Sequence, residues 1–460
     1  MYLKRIITLI AVTLFVQPSF SQHIRKLSKQ DLSSMYSEFS FTSFQSSVYH
    51  KNDSVSTVYL GVKPDDFSFL PDTLNGPLTA RIGVFYELFN DWDAKLPYDT
   101  GSIMVTDTSS IGKSLEMIIN LDVEITYPSE QILIVTLIDK NKDDKRVSKI
   151  IPIDKMNKYG RQNFHLTDES GFSLFGNALG NDDQFRFEYP DTSIRQVFIR
   201  YYNKSFSLAK PPFVLEKEET YQFEPDSFFT INLTKGNSPL LELPYDGIYH
   251  FQVDLNKPDG FTLFHFTEGF PAVTTPAQAL EPLRYLSTQK EYDRLIEYDD
   301  YKVAVDSFWL VRASKKPERA KNMIKKYYSR VETANIEFSS FHEGWKTDRG
   351  LIYIIYGPPT EVYRKEKEEE WIYGERNNPM SIHFFFSKAE NPFSDNDYRL
   401  QRSASIKQAG LLLLKTGGGK QAKYLFPVFS SFHFLQDQPQ LPPRLTGNRG
   451  IFFGPSDKIW

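Results

Sequence analysis

The sequence predicts a mainly β protein with an α+β part toward its C-terminal end, and three patterns carry this prediction. From about residue 35 to 155, apolar and polar residues alternate with period two, as in strands that are buried on one face. A second β region with proline-rich turns continues to about residue 270. Beyond it the apolar period becomes helical. We therefore expect two antiparallel β-sandwiches, followed by a helical segment and a small antiparallel sheet.

The first β region shows its alternation most clearly between residues 115 and 124. The apolar residues there share one face of an extended chain and the polar residues share the other, and residues 82–88 repeat the pattern. Turn-forming clusters separate these segments at 63–66, 75–77 and 139–145. Half-buried strands joined in this way are typical of an immunoglobulin-like sandwich, which we place at residues 22–157.

The second β region contains four stretches with strand patterns. They are residues 184–188, 196–202, 228–233 and 248–255. We expect a second immunoglobulin-like sandwich over residues 158–270. The 38 Phe and 26 Tyr of the chain fit such domains, because aromatic side chains favour strands. A platform on which sugars or other ligands stack is the alternative use of these rings.

A change of period marks the third part of the chain, which we place at residues 271–402. Thr288 and Glu291 have the spacing of a capping box, so a helix is expected to begin there. A longer helix is expected to begin near Pro317, because proline suits the first turn of a helix. One stripe of this helix is apolar and the opposite face is basic. We interpret the basic face as solvated surface, with a binding patch as the alternative; its residues are Lys321, Lys325, Lys326 and Arg330.

A heptapeptide follows the longer helix and reads Gly344-Trp345-Lys346-Thr347-Asp348-Arg349-Gly350. It leads into the apolar stretch 351–356 and the turn Gly357-Pro358-Pro359. Here the chain resembles the GWxTD domain family, whose name spells this signature and whose pattern continues through a similar turn. Between about 280 and 402 the family has further similar residues, namely Phe308, Trp309, Arg312, Val331, Ala334, Asn335 and Phe338. Ala313 departs from the family, which usually has an acidic residue at that point.

The resemblance implies a domain of exported bacterial proteins, without implying a particular reaction. Within it we expect three strands, at 351–356, 370–373 and 381–386, with a solvated hairpin tip at 365–370. Together with the preceding helices, these strands predict a helical segment packed on a small antiparallel sheet.

Two interpretations of the signature remain open. In the structural one, Gly344 and Gly350 permit backbone geometry closed to other residues, and Trp345 fills the core between helix and sheet. Asp348 with Arg349 then satisfies buried backbone groups or forms an ion pair. In the catalytic one, Thr347, Asp348 and Arg349 form the polar site of a hydrolase, which His342 is near enough in sequence to join. The motif residues, which we assign a structural role, are Gly344, Trp345, Thr347, Asp348, Arg349, Gly350, Tyr356, Gly357 and Pro359.

No other pattern predicts a catalytic residue, a metal site or a cofactor. The stretch from Asp139 begins like a calcium loop, but Asp144 stands where such loops need glycine. The segment Gly171-Phe172-Ser173-Leu174-Phe175 lacks the final glycine of a nucleophile elbow. The eight histidines form no zinc-binding pair, and we expect His250 and His265 to be packed or edge residues.

The first residues predict export. Lys4 and Arg5 precede an apolar run at 6–16, and small residues follow up to Ser21, after which we expect a signal peptidase to cleave. The apolar run is too short to span a bilayer as a helix, which takes about 20 residues. The chain has no cysteine, so we expect neither a lipid anchor on an N-terminal cysteine nor disulfides. We expect a periplasmic, surface-exposed or secreted protein without a transmembrane segment after removal of residues 1–21.

The charge balance argues against nucleic acid as a partner. The chain has 58 acidic and 54 basic residues, which are interspersed, and binding to phosphates needs a basic face. With no cofactor expected, we predict a non-catalytic scaffold or adaptor that binds another envelope protein or a cell-surface polymer. The alternative is a periplasmic or secreted hydrolase with its site around Thr347, Asp348 and Arg349.

Residues 403–460 fit neither half of the chain. A short leucine run, three glycines and a Pro/Gln segment follow one another without a regular period or helix caps. One hypothesis is a reading-frame slip near residue 405, because synonymous codons for 409–418, read in another frame, can spell a Trp-Arg ending like that of the family. The other is an authentic disordered extension. Resequencing the gene distinguishes the two.

Overall fold

The computed structural model describes residues 26–36 and 44–403, with gaps at 72, 74–75, 109–116, 143–144, 181–182, 204–205, 213, 216–223, 267 and 380. The predicted signal peptide and the tail beyond residue 403 lie outside the described residues, as does Asp144 of the rejected calcium loop. The described part is mainly β with several antiparallel sheets, as predicted, and its α-helices lie between residues 276 and 356. None of these helices combines the length and the apolarity that crossing a bilayer requires.

The first β region consists of two antiparallel sheets that enclose a common core. One sheet has the order β1-β2-β6, with β1 at Gln45–His50, β2 at Val55–Val62 and β6 at Met117–Glu124. The other has the order β3-β4-β7-β8, and β5 also pairs with β4. Strand β3 is Phe69–Pro71, β4 is Leu78–Phe89 and β5 is Asp99–Asp107. Strand β7 is Glu130–Asp139 and β8 is Lys145–Asp154. The predicted sandwich is confirmed, and β6 alternates buried and more exposed residues from Met117 onward.

Strand β7 departs from simple alternation because both of its faces are covered. Leu133 and Val135 point into the core of the first sandwich, whereas Ile132 and Ile134 belong to a second core, shared with the C-terminal part of the chain. A strand buried on both sides reads as a continuous apolar run. The first sandwich therefore packs tightly against the C-terminal part.

The second β region also has a core between two sheets. Its five-stranded sheet has the order β10-β15-β14-β12-β13, and β9 pairs with β11 beside it. In chain order β9 to β15 are His165–Asp168, Ala178–Leu179, Phe185–Glu188, Gln196–Tyr202, Ser227–Asn232, Gly247–Gln252 and Phe261–His265. All pairings are antiparallel except that of β10 with β15. The rings of Phe251 and Phe261 stack in the core with centroids 4.3 Å apart, so aromatic residues here serve packing. All four predicted strands are confirmed.

The C-terminal part places five helices before a four-stranded sheet. The helices α1 to α5 are Pro276–Leu280, Gln289–Ile296, Tyr301–Arg312, Pro317–Phe338 and Asp348–Tyr356. The strands β16 to β19 are Glu361–Arg364, Glu368–Tyr373, Ile382–Lys388 and Tyr398–Leu400, paired antiparallel in that order. The capping box of Thr288 and Glu291 is present at α2, and Pro317 begins α4. The domain boundaries at 157/158 and 270/271 remain predictions.

The stretch 351–356 is helical, so the prediction of a strand there was wrong. Thr347 caps the helix by accepting a hydrogen bond from the backbone of Gly350, and Gly357 ends it with a φ of +82°. The residues from Leu351 to Ile355 are all buried. Because such a run is apolar on every side, its sequence has no period that separates a helix from a strand.

Two charged residues that were predicted to be solvated are buried. Lys321, Lys325 and Lys326 of α4 are exposed, but Arg330 turns inward and donates to the carbonyl oxygen of Ile354 at 3.2 Å. The expected hairpin tip is limited to the residues between β16 and β17, and Glu369 is buried inside β17. Each buried charge has a partner that sequence spacing does not reveal. A backbone carbonyl oxygen stabilises the charge of Arg330, and the cation of Arg349 stabilises that of Glu369.

Residues 26–36, here called the N-terminal strap, pack against the C-terminal sheet. The backbone N–H of Leu32 donates to the carbonyl oxygen of Val362 at 2.8 Å, and the Val362 N–H donates to Asp31 at 2.9 Å. The side chains of Leu27 and Leu32 are buried in the core shared by α4, α5 and the C-terminal sheet. The strap thereby covers the outer edge of β16, an edge that would otherwise expose backbone donors and acceptors.

Candidate functional site

The GWxTD segment forms the turn between α4 and α5. Residues Gly344–Lys346 make one turn of 3-10 helix, and Thr347 follows as the N-cap of α5. The Thr347 hydroxyl donates to the carbonyl oxygen of Gly344 at 2.8 Å and accepts from the Gly350 N–H at 3.0 Å. A single side chain therefore closes the turn and satisfies an N-terminal donor of the helix.

Asp348 connects the start of α5 to the last strand of the sheet. Its Oδ2 accepts from the backbone N–H of Leu400 at 2.8 Å, and its Oδ1 accepts from Arg402 Nη2 at 2.5 Å. Arg402 also donates to the carbonyl oxygen of Lys210 at 3.1 Å, in the connection between β12 and β13 of the second β region. A carboxylate in the first turn of a helix is further favoured by the helix dipole.

Arg349 forms an ion pair with a distant residue and not with its neighbour. Its Nη1 lies 3.3 Å from Glu369 Oε2, and the two side chains are only 3% and 0% exposed. Glu369 Oε1 accepts from Trp371 Nε1 at 2.6 Å and from the Tyr36 hydroxyl of the N-terminal strap at 3.0 Å. Arg349 also donates to the backbone oxygen of Asn396 at 3.0 Å. Burial, and secondarily the charge of Glu369, raises the pKa of Tyr36 well above its ordinary value, so this hydroxyl stays a donor.

The two signature glycines are required for space, which corrects the expectation of unusual backbone geometry. Neither is among the residues with positive φ in the described chain. A Cβ on Gly344 would lie 1.8 Å from the carbonyl oxygen of Ala334, and a Cβ on Gly350 would lie 1.9 Å from the carbonyl oxygen of Gly344. Main-chain atoms of α4, the turn and α5 thus meet where no side chain fits.

The end of α5 is held by the turn that follows it. Tyr373 of β17 donates from its hydroxyl to the Gly357 carbonyl oxygen at 2.7 Å. The ring of Tyr356 packs edge-on against Phe384, with centroids 5.0 Å apart. Pro359 is buried two residues before β16 begins. These motif residues therefore join the helix to the sheet.

Trp345 is buried and borders a narrow cleft. Its backbone N–H donates to Asn335 Oδ1 at 3.2 Å, and its ring packs edge-on against Tyr285 at 5.8 Å. The cleft has an empty volume of about 340 Å³, part of it open to solvent. Its lining includes Glu281 and Glu343 but not Thr347, Asp348 or Arg349, and its residues are Phe270, Ala272, Val273, Gln278, Glu281, Pro282, Val331, Asn335, Glu343 and Trp345. The polar residues of the proposed hydrolase site therefore face packed protein and not this cleft.

His342 packs among aromatic rings. Its imidazole stacks on Phe341 with centroids 4.4 Å apart, and it meets the edge of Phe206 at 6.2 Å. Burial, the largest cause, lowers the pKa of His342 to about 3. A histidine with so low a pKa is a weak base at neutral pH.

The structure brings together a serine and a histidine that the sequence analysis did not connect. Ser173 Oγ lies 2.9 Å from His165 Nε2, and the His165 ring stacks on Tyr59 at 4.4 Å. Burial, followed by the charges of Arg161 and Lys51, lowers the pKa of His165 to about 4. Such a histidine is poorly suited to activate a serine near neutral pH. In the described ranges, no three His, Asp or Glu side chains gather closely enough to hold a metal ion.

The comparisons with known proteins identify one domain. Residues 247–412 match the family model of the GWxTD domain. A search of curated proteins gave no match. Among solved structures, the chain is similar to red sea bream transglutaminase at 10% identity and a TM-score of 0.17, over 49% of this chain and 32% of that one. It thus spans about a third of that enzyme, and a likeness this low carries no argument about fold or activity. With its signature residues in place and residues 247–412 matched, the chain contains a GWxTD domain.

Proposed function

We propose that this protein is a non-catalytic scaffold or adaptor of the bacterial envelope, in which the GWxTD signature holds the C-terminal domain together. The observation that carries this proposal is the use of the signature's charges inside the fold. Both oxygens of Asp348 accept hydrogen bonds, from Leu400 and Arg402. Arg349 is paired with a fully buried glutamate. Groups engaged in this way stabilise contacts between elements and are poorly placed to react with a substrate.

A hydrolase centred on Thr347, Asp348 and Arg349 is the weaker candidate. Hydrolysis by carboxylates needs one carboxyl group free to give a proton to the leaving group and a second group free to take a proton from water. Asp348 is bound to a guanidinium, and the nearby Glu369 is bound to a guanidinium, an indole and a phenol. The Thr347 hydroxyl is the cap of α5. These contacts favour the structural interpretation.

The outer face of α3 supports a protein partner over a polymer. Val303, Leu310 and Val311 are all exposed, Val311 by 69%, and their spacing of seven and eight residues puts them on one side of the helix. Ile296 and Tyr298, at the end of α2, are exposed as well. Exposed apolar side chains grouped on a helix are typical of a protein-binding surface. We place the partner in the envelope because the first 21 residues predict export.

Photo-crosslinking in the native bacterium tests the adaptor role. A crosslinking amino acid at Leu310 is expected to give a discrete adduct with one envelope protein. Val303→Glu combined with Val311→Glu is expected to reduce that adduct at least tenfold, because burying a charge in an apolar interface costs several kcal/mol. Lys321→Glu combined with Lys325→Glu, on the exposed face of α4, is the matched control and should leave the adduct unchanged. An adduct that survives the α3 changes, or none at all, contradicts the proposal.

Replacing Asp348 with asparagine separates the structural role from the catalytic one. We expect the free energy of unfolding to fall by about 1–3 kcal/mol, because the change removes a charge-assisted bond to the largely buried Arg402. Asp395→Asn is the control, since Asp395 is exposed and its pair with Lys388 at 3.5 Å contributes at most about 0.5 kcal/mol. Unchanged melting of Asp348→Asn together with loss of a hydrolytic turnover would favour the enzyme.

A further inference from the structure

Among the described residues, the edge of the second sandwich presents a strand that is paired on one side only. Strand β13 is the last strand of its sheet, and all six of its residues pair with β12, from Ser227 opposite Tyr201 to Asn232 opposite Gln196. In the described part of the chain, no strand pairs with its other side. This edge therefore differs from that of β16, which the N-terminal strap covers through Asp31 and Leu32.

The alternation of hydrogen bonds shows which backbone groups of β13 point outward. The Leu233 N–H donates to the Arg195 carbonyl oxygen at 2.8 Å. In an antiparallel pair, bonded positions recur every second residue, so residues 231 and 229 bond to β12. At the start of the strand, the Asp226 N–H donates to the Tyr201 carbonyl oxygen at 2.8 Å. Phe228, Thr230 and Asn232 consequently direct their N–H and C=O groups away from the sheet. A second strand can bond to these three residues.

Strand β13 lacks the features that normally prevent strand addition. Its sequence, Ser-Phe-Phe-Thr-Ile-Asn, contains no charge, proline or glycine. Phe228 is 49% exposed and Phe229 is 43% exposed, on opposite faces of the sheet. Phe229 lies on the side of the buried Val197 and Ile199, at the open end of that core. A strand placed alongside would cover this ring and extend the core.

The charges at the two ends of β13 indicate that a second copy of the same strand fits. Glu224 and Asp226 precede the strand, and Lys235 follows it. In an antiparallel pair with the twofold axis at Thr230, Phe228 faces Asn232 of the second copy and Phe229 faces Ile231. The turn that carries Lys235 then lies beside the segment of the second copy that carries Glu224 and Asp226. Unlike charges meet at both ends, whereas a parallel pair would align like charges.

We propose that the protein forms a homodimer by antiparallel pairing of β13 with β13 of a second copy, centred on Thr230. Three residues on each copy exchange up to about six backbone hydrogen bonds. The pairing is isologous, so it closes after two copies and leaves no further edge at this point. This assembly goes beyond the adaptor role, and it would present the exposed face of α3 twice.

Sedimentation of the full mature chain tests the assembly. We expect a monomer–dimer equilibrium at concentrations of about 1–100 µM, as suits a small interface. Thr230→Pro is expected to abolish the dimer, because it removes an outward N–H without breaking a bond to β12. Phe229→Lys is expected to weaken dimerisation at least tenfold, whereas Phe385→Lys should not, since Phe385 is an exposed ring on β18, a strand paired on both sides. Thermal melting of each variant identifies any that fail to fold.

Cysteine substitution tests the register, because the natural chain has no cysteine. Thr230→Cys is expected to form an intermolecular disulfide under mild oxidation, since facing residues in a bonded antiparallel pair have Cα atoms about 5.5 Å apart. Ser227→Cys is the matched control: in this register its two copies lie about 20 Å apart and cannot be linked. A chain that stays monomeric at 100 µM overturns the proposal. A dimer that survives Thr230→Pro, or that is linked equally through both cysteines, overturns it too.

Discussion

Replacing Arg349 with methionine should lower the free energy of unfolding by about 3–5 kcal/mol, because the change leaves a buried glutamate without its cation. Glu369 is 0% exposed, and its remaining donors, Trp371 and Tyr36, are uncharged. Methionine keeps most of the side-chain volume, so the loss reports on charge more than on packing. Chemical denaturation followed by circular dichroism measures the effect.

A double-mutant cycle establishes whether the loss belongs to the ion pair. Glu369→Met alone is expected to be similarly destabilising, and combining it with Arg349→Met is expected to recover at least half of the loss, because both charges of the pair are then removed together. Arg376→Met serves as the control: Arg376 is exposed, and its Nη2 lies 3.9 Å from Glu370, a weak pair worth at most about 0.5 kcal/mol. If Arg349→Met costs no more than Arg376→Met, the buried pair does not hold the domain together.

Replacing Gly344 with alanine should cost about 3 kcal/mol or more, and the variant is expected to accumulate poorly as soluble protein. The added Cβ would lie 1.8 Å from the carbonyl oxygen of Ala334, which belongs to the backbone of α4 and cannot rotate away. The turn and α4 must therefore separate, and the hydrogen bond from the Trp345 N–H to Asn335 is expected to break with them. Thermal melting and soluble yield measure the outcome.

Gly160 provides the matched control for this substitution. It has an ordinary φ of −71°, and a Cβ built there would come no closer than 3.8 Å to a neighbouring atom. Gly160→Ala is therefore expected to change stability by less than about 1 kcal/mol in either direction. Equal melting temperatures for the two variants would show that close approach at Gly344 does not matter.

Much of the fold could be predicted because its signals are local. The alternation along β6 reflects one buried face, and the structure buries Met117, Ile119 and Leu121 on it. The capping box of Thr288 and Glu291 is complete within four residues, so no distant contact is needed to recognise it. The signature is a contiguous stretch of seven residues, Gly344 to Gly350, so it can be identified without its distant contacts.

The missed features depend on distant partners. Residues 351–356 are apolar throughout, so their helical state follows from the cap at Thr347 and from packing on all sides. Arg330 has the spacing of a solvated face, but the Ile354 carbonyl oxygen draws it inward. The bond between Tyr36 and Glu369 joins residues 333 positions apart, and no short pattern contains both.

The sequence by itself determined the mainly β architecture, the helical segment and the presence of a GWxTD domain, because periodicity, caps and signature are formed by neighbouring residues. Only the tertiary structure decided what the signature does in the fold. Asp348 and Arg349 are adjacent in the chain, yet one is bound to Arg402 and the other to Glu369. Folding alone sets which charges become buried together, and desolvation makes those pairings matter for stability.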